Sequence, residues 1–120
     1  MTILNFIVIA CGGALGASLR YGLSSTLGLY GVLIVNILGC FLIGALISFF
    51  ALKTSVSQTM NLFLTVGLLS GFTTFSAFSL EAISLIDTHK YLQAAIYITA
   101  SVGGGLGAFI LGRFLVRLAS

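Results

Sequence analysis

Gly71-Phe72-Thr73-Thr74-Phe75-Ser76-Ala77-Phe78-Ser79 decides how the chain is read. It sits inside a hydrophobic segment otherwise long enough to cross a membrane. A glycine, two adjacent threonines and two serines weaken a helix there, where a helix should be strongest. Hydroxyls and freed backbone groups left unpaired in hydrocarbon cost several kcal/mol each. Irregular backbone at membrane depth is tolerated only where it is buried in protein or lines a cavity. The chain contains no proline, so glycine, serine and threonine must supply the interruption. Two phenylalanines three residues apart complete the pattern, which marks a place where something polar is handled.

Outward from that stretch, the 120-residue chain is 59% hydrophobic and only 6% charged, with a mean hydropathy of +1.24. Soluble domains carry about 25% charged residues, so the composition is that of a membrane protein, and the length is that of one domain. The net charge of +3 comes from scattered residues and forms no basic stripe, which excludes nucleic acid as a partner. Cys11 and Cys40 lie in apolar runs and read as small hydrophobes rather than as a disulfide or metal ligands. Met1-Thr2 has no basic residue and the apolar stretch after it outruns a signal-peptide core, so the first segment is expected to stay as a transmembrane helix.

A spanning helix needs ~20 mainly apolar residues, and four stretches qualify, at about residues 3–23, 30–52, 60–86 and 91–118, the third broken at 70–74. The expected fold is an all-α membrane protein of four transmembrane helices in a single domain. Four crossings place Lys53, Arg113 and Arg117 on one side and Arg20 and Lys90 on the other. Three positives against two is a weak orienting bias, so dual topology, with antiparallel homodimers, is the expectation. Gly12 and Gly16, and Gly103 and Gly107, have the four-residue spacing that lets helix backbones approach closely. Gly103-Gly104-Gly105-Leu106-Gly107-Ala108 fits a dinucleotide fingerprint by letter only. It lies mid-membrane with no acid after it, and is not a nucleotide site.

No enzyme constellation is present. His89 stands in a loop without a partner at catalytic or metal spacing, and Asp87 lies at a helix end. Glu81 follows the break by one to two turns and reads equally as a functional acid or as a group reaching the interface. Asn36 is an isolated amide in an apolar helix, placed for an interhelical hydrogen bond or for a permeating species. Phe75 and Phe78 share one helix face. Their positive ring edges can meet an anion without a formal charge, weakly enough to release it. Tyr97 and Ser101 form a further polar pair at i, i+4. Where the third helix unwinds, the carbonyls of Ser70, Gly71 and Thr73 become available to a cation, or the site is a hinge. Sequence chemistry does not choose between the two.

Ser70-Gly71-Phe72-Thr73-Thr74-Phe75-Ser76-Ala77-Phe78-Ser79 resembles the G-G-x-T-T-F-S-T-F-S signature of the Fluc (CrcB) fluoride channels. The likeness extends to Gly12-Gly13-Ala14-Leu15-Gly16-Ala17-Ser18-Leu19-Arg20-Tyr21 and to Val35-Asn36-Ile37-Leu38-Gly39. This resemblance implies a passive channel in the cell membrane that lets cytoplasmic fluoride leave and so protects against its toxicity. It further implies an antiparallel dual-topology homodimer with two pores. Asn36, Phe75, Ser76, Phe78, Tyr97 and Ser101 would line each fluoride path. A structural Na⁺ at the dimer centre would be held by backbone carbonyls among Ser70, Gly71 and Thr73, with no organic cofactor. Arg20 would have a structural or vestibular role. Two positions depart from the signature: Ser70 stands for glycine, and Ala77 replaces a threonine and removes one hydroxyl. Two rival readings remain, a small dual-topology multidrug or cation exporter and a non-transporting membrane subunit. The first helix lacks the deep acid such an exporter looks to.

Overall fold

The computed structural model describes residues 2–53 and 55–120, and every regular element among them is helical. Helix α1, Ile3–Leu27, starts from Thr2, whose hydroxyl accepts from Asn5 N–H at 3.4 Å. It ends at Gly28, which takes a positive φ of 77° that few residues other than glycine adopt. A single 3₁₀ turn, Gly28–Tyr30, leads into α2, Gly31–Leu52. A Cβ on Gly31 would collide with the carbonyl of Ser24, seven residues back. In a straight helix those positions lie about 10 Å apart, so the chain reverses here and α2 returns along α1.

The second half begins at Ser57, which caps the short α3, Gln58–Asn61, by accepting from Met60 N–H at 3.1 Å. The helix then widens into a π-helical segment, Leu62–Leu69, and tightens again in α4, Ser70–Phe72. Thr73 and Thr74 are extended, and α5, Phe75–Asp87, follows. The end of α5 is a Schellman cap: Lys90 N–H bonds Leu85 O, His89 N–H bonds Ile86 O, and His89 itself has a φ of 59°. That geometry gives the lone histidine a structural place at a turn. Helix α6, Tyr91–Ala119, completes the fold.

Packing pairs α2 with α6, and α1 with the π segment and α4, while α5 lies against α6. Glycine makes both main contacts possible. On α1, a Cβ at Gly12 would come within 2.6 Å of Phe63 O, and one at Gly16 would strike Leu68 O. Between α2 and α6, Gly44 faces the backbone of Phe109 and Gly112 faces the carbonyl of Phe41. The Gly12/Gly16 pair therefore packs as its spacing suggests. The Gly103/Gly107 pair does not pack within the chain: a Cβ at either would meet nothing within 4 Å. The glycine that brings α6 close to α2 backbone is instead Gly112, because that is the face turned toward α2.

Three helical stretches, Ile3–Leu52, Gln58–Asp87 and Tyr91–Ala119, are long and apolar enough to cross a membrane. Their outward faces carry large apolar side chains, among them Ile3, Leu80 and Leu106, as a lipid-facing surface requires.

Candidate functional site

The break after α4 is held open by side chains. Asn36, on α2, spans the peptide groups of Thr74: Nδ2 donates to Thr74 O at 2.9 Å, and Oδ1 accepts from Thr74 N–H at 2.8 Å. The Thr74 hydroxyl in turn caps α5 by accepting from Ala77 N–H at 3.1 Å. Arg20, on α1, donates through Nε to Gly71 O at 3.2 Å. Each bond removes a buried backbone group from the unsatisfied set that a broken membrane helix creates.

The same bonds leave two carbonyls in a different position. In an unbroken helix Ser70 O would accept from Thr74 N–H, and Thr73 O from Ala77 N–H. Asn36 Oδ1 occupies the first donor and the Thr74 hydroxyl occupies the second. Ser70 O and Thr73 O are thus deprived of their helical partners, whereas Gly71 O has gained one from Arg20. Among the described residues no group of three or more His, Cys, Asp or Glu side chains is placed to hold a metal. Neutral carbonyl oxygens suit a hard cation, and Ser70 O and Thr73 O are the two whose helical donors are engaged elsewhere without replacement by Arg20.

Immediately beyond the break lies a cavity of about 370 Å³ lined by Asn36, Thr73, Thr74, Phe75, Phe78 and Ser101, together with Cys40 and further apolar residues of α6. None of its lining residues is charged. The rings of Phe75 and Phe78 stand 5.3 Å apart and tilted by 47°. Phe78 is buried, while Phe75 is 77% exposed on its own chain. Most hydroxyls near the break are already spent. Thr73 Oγ1 donates to Leu69 O and Ser79 Oγ to Phe75 O, while Ser76 Oγ pairs with Thr74 Oγ1. Ser101 Oγ is the exception, a buried side-chain oxygen with no hydrogen-bond partner.

Tyr97 lies on the far side of Phe78, stacked on it at 5.7 Å with 15° between the rings. Its hydroxyl donates to Glu81 Oε2 at 2.5 Å, so Glu81 turns toward α6 and not toward lipid. Both line a second cavity, of about 620 Å³, that also includes Tyr30, Ser84, Lys90 and Gln93. Of the residues singled out from sequence, Asn36, Phe75, Phe78, Thr73 and Ser101 therefore meet at the first cavity. Tyr97 belongs to the second, with the Phe78–Tyr97 stack as the partition. Ser76 lines neither, Ser70 and Gly71 lie on the other side of the break, and Arg20 meets the break from α1. Cys40 lines the first cavity although its sequence setting suggested only packing. Its position one turn after Asn36 on α2 was the available signal.

Residues 7–113 match the family described as CrcB-like protein, Camphor Resistance (CrcB). A protein of Chloroflexus aurantiacus named fluoride-specific ion channel FluC is 43% identical over 120 residues, covering 94% of this chain and 95% of that protein. A protein of the same name from Granulibacter bethesdensis is 43% identical over 121 residues, covering 95% of each chain. One from Roseiflexus, also so named, is 38% identical over 122 residues, covering 96% of this chain and 98% of its own. The chain belongs to the CrcB-like family and is a multi-pass membrane protein.

Proposed function

We propose that this chain is a fluoride-specific ion channel, the activity its relatives' names carry, and not an enzyme. The observation that carries the reading at the level of the site is the uncharged cavity where the Phe75 and Phe78 rings, the Asn36 amide and the unpartnered Ser101 hydroxyl converge. A small anion that sheds water there meets ring edges, an N–H donor and an O–H donor. With no fixed positive charge in the lining, binding stays weak enough for the ion to leave, which conduction needs. Beyond the Phe78–Tyr97 stack, the larger cavity beside Lys90 extends the polar path toward the α5–α6 turn.

The chain crosses the membrane four times in this reading. The Gly28–Tyr30 turn divides Ile3–Leu52 into arms of 25 and 22 residues, each longer than the ~30 Å hydrocarbon core at 1.5 Å per residue. The working unit is an antiparallel homodimer in the cell membrane, with two pores. Two features support it. Phe75 is largely uncovered by its own chain, so closing a pore wall there needs a second copy. The Ser70 and Thr73 carbonyls supply only two oxygens, fewer than a hard cation takes, and a symmetry mate doubles them. Na⁺ is the cation the family resemblance implies. It would supply a fixed positive charge that holds the two breaks together, with Ser70 and Thr73 as its ligands in each copy.

Efflux from liposomes containing the purified protein tests the function. Fluoride is expected to leave rapidly down its gradient while chloride is retained. Equal rates for the two ions, or no fluoride efflux, would remove the proposal.

A further inference from the structure

We infer that Asn36 is a positioning residue for the cation site as well as part of the anion cavity, and that it couples the two through the Thr74 peptide. This rests on the cation reading above and goes beyond it. The coupling follows from where each group of one amide goes. Asn36 Oδ1 holds Thr74 N–H at 2.8 Å, and that N–H is the donor that would otherwise close on Ser70 O. Asn36 Nδ2 holds Thr74 O at 2.9 Å, so the two peptide groups that flank Thr74 are both pinned to one side chain. With both peptides pinned, Thr74 stays extended, at φ −151° and ψ 123°, and its hydroxyl caps α5 at Ala77. That second bond keeps Ala77 N–H from Thr73 O. One side chain on α2 thereby maintains both deprived carbonyls, although it need touch no cation itself.

The same amide lies on the wall of the cavity that holds Phe75, Phe78 and Ser101. A change in the hydrogen bonds of Asn36 on the anion side is therefore a change in the clamp on the cation side. Without Asn36 the chain has a competing arrangement at hand. Thr74 N–H can return to Ser70 O and continue α4 by a residue, which withdraws a cation ligand while repairing the helix.

Hydrogen exchange of the segment 70–78 in the full-length protein, titrated with Na⁺ against a large organic cation, separates these claims. The wild type is expected to show saturable, Na⁺-dependent protection. Asn36→Ala is expected to raise the Na⁺ midpoint by at least about tenfold, the equivalent of losing one to two net hydrogen bonds. Asn36→Asp keeps the acceptor for Thr74 N–H and loses the donor to Thr74 O, so its midpoint is expected to rise by less than about tenfold. A tenfold or larger rise there would overturn the assignment of the Ser70 clamp to Oδ1, which keeps the test decisive if the alanine variant fails to fold. Phe78→Ile, which alters the wall between the two cavities and leaves the hydrogen bonds of Asn36 and Thr74 in place, is expected to keep the wild-type midpoint. An unchanged midpoint in Asn36→Ala, or an equal rise in Phe78→Ile, would overturn the coupling and leave the cation site standing. A wild type indifferent to Na⁺ would overturn the cation reading itself.

Discussion

Ser101 holds a buried hydroxyl with no partner, in a neighbourhood where every other hydroxyl near the break is bonded. Leaving such a group unsatisfied costs about 1–3 kcal/mol, so its removal should help folding and its presence needs a reason. Ser101→Ala is expected to match or exceed the wild type in thermal stability while lowering fluoride flux. A variant that loses stability and keeps its flux would place Ser101 among packing residues. Phe75→Ile tests the neighbouring ring: with 77% of Phe75 exposed on its own chain, the fold should survive and flux should be lost. Residue chemistry was partly legible beforehand. An isolated amide in an apolar helix announces that Asn36 bonds something, but its partner is 38 positions away and only the fold brings Thr74 to it. Ser101 could be named from sequence, whereas its lack of a partner could not, since a hydroxyl in a helix often returns its hydrogen to the preceding turn.

At the scale of elements, the glycines separate close approach from idle spacing. Gly16→Ala forces a methyl into Leu68 O on the π segment and is expected to cost about 1–3 kcal/mol, read as a lower unfolding temperature. Gly107→Ala meets nothing within the chain, so the same measurement should show no loss, and helix propensity favours alanine there by about 1 kcal/mol. Equal losses at both positions would contradict the packing described. The all-helical, membrane-spanning character was readable from the hydrophobic runs, and Gly71–Thr74 drew attention to the stretch where Thr73 and Thr74 are extended. The π segment Leu62–Leu69 was not, because a run such as Leu-Phe-Leu-Thr-Val-Gly-Leu-Leu has no letter that distinguishes a wider helix from an ordinary one. It packs closely on α1 at Gly12 and Gly16, and Ser70 Oγ donates to Thr65 O five residues back at 2.9 Å. Ser70, which stands where the resembled signature has glycine, thus has a definite partner.

For the whole molecule, composition alone placed the chain in a membrane, and in the proposed channel the ion would pass from the cavity at Ser101 to the one at Glu81 across the Phe78–Tyr97 stack that separates them. Assembly is harder to read from one chain. Three positives against two leave the orientation nearly balanced, and the groups that would answer a second copy, Phe75 and the Ser70 and Thr73 carbonyls, are ones a single subunit leaves without their full set of partners. An exposed phenylalanine is unremarkable in a membrane protein until it is seen to border an uncharged cavity. The most direct measurement is the reversal potential of the protein in a planar bilayer under independent fluoride and chloride gradients. A fluoride-selective channel predicts a reversal potential that tracks the fluoride gradient and ignores chloride. A potential set by chloride, or no current without an added proton gradient, would contradict it.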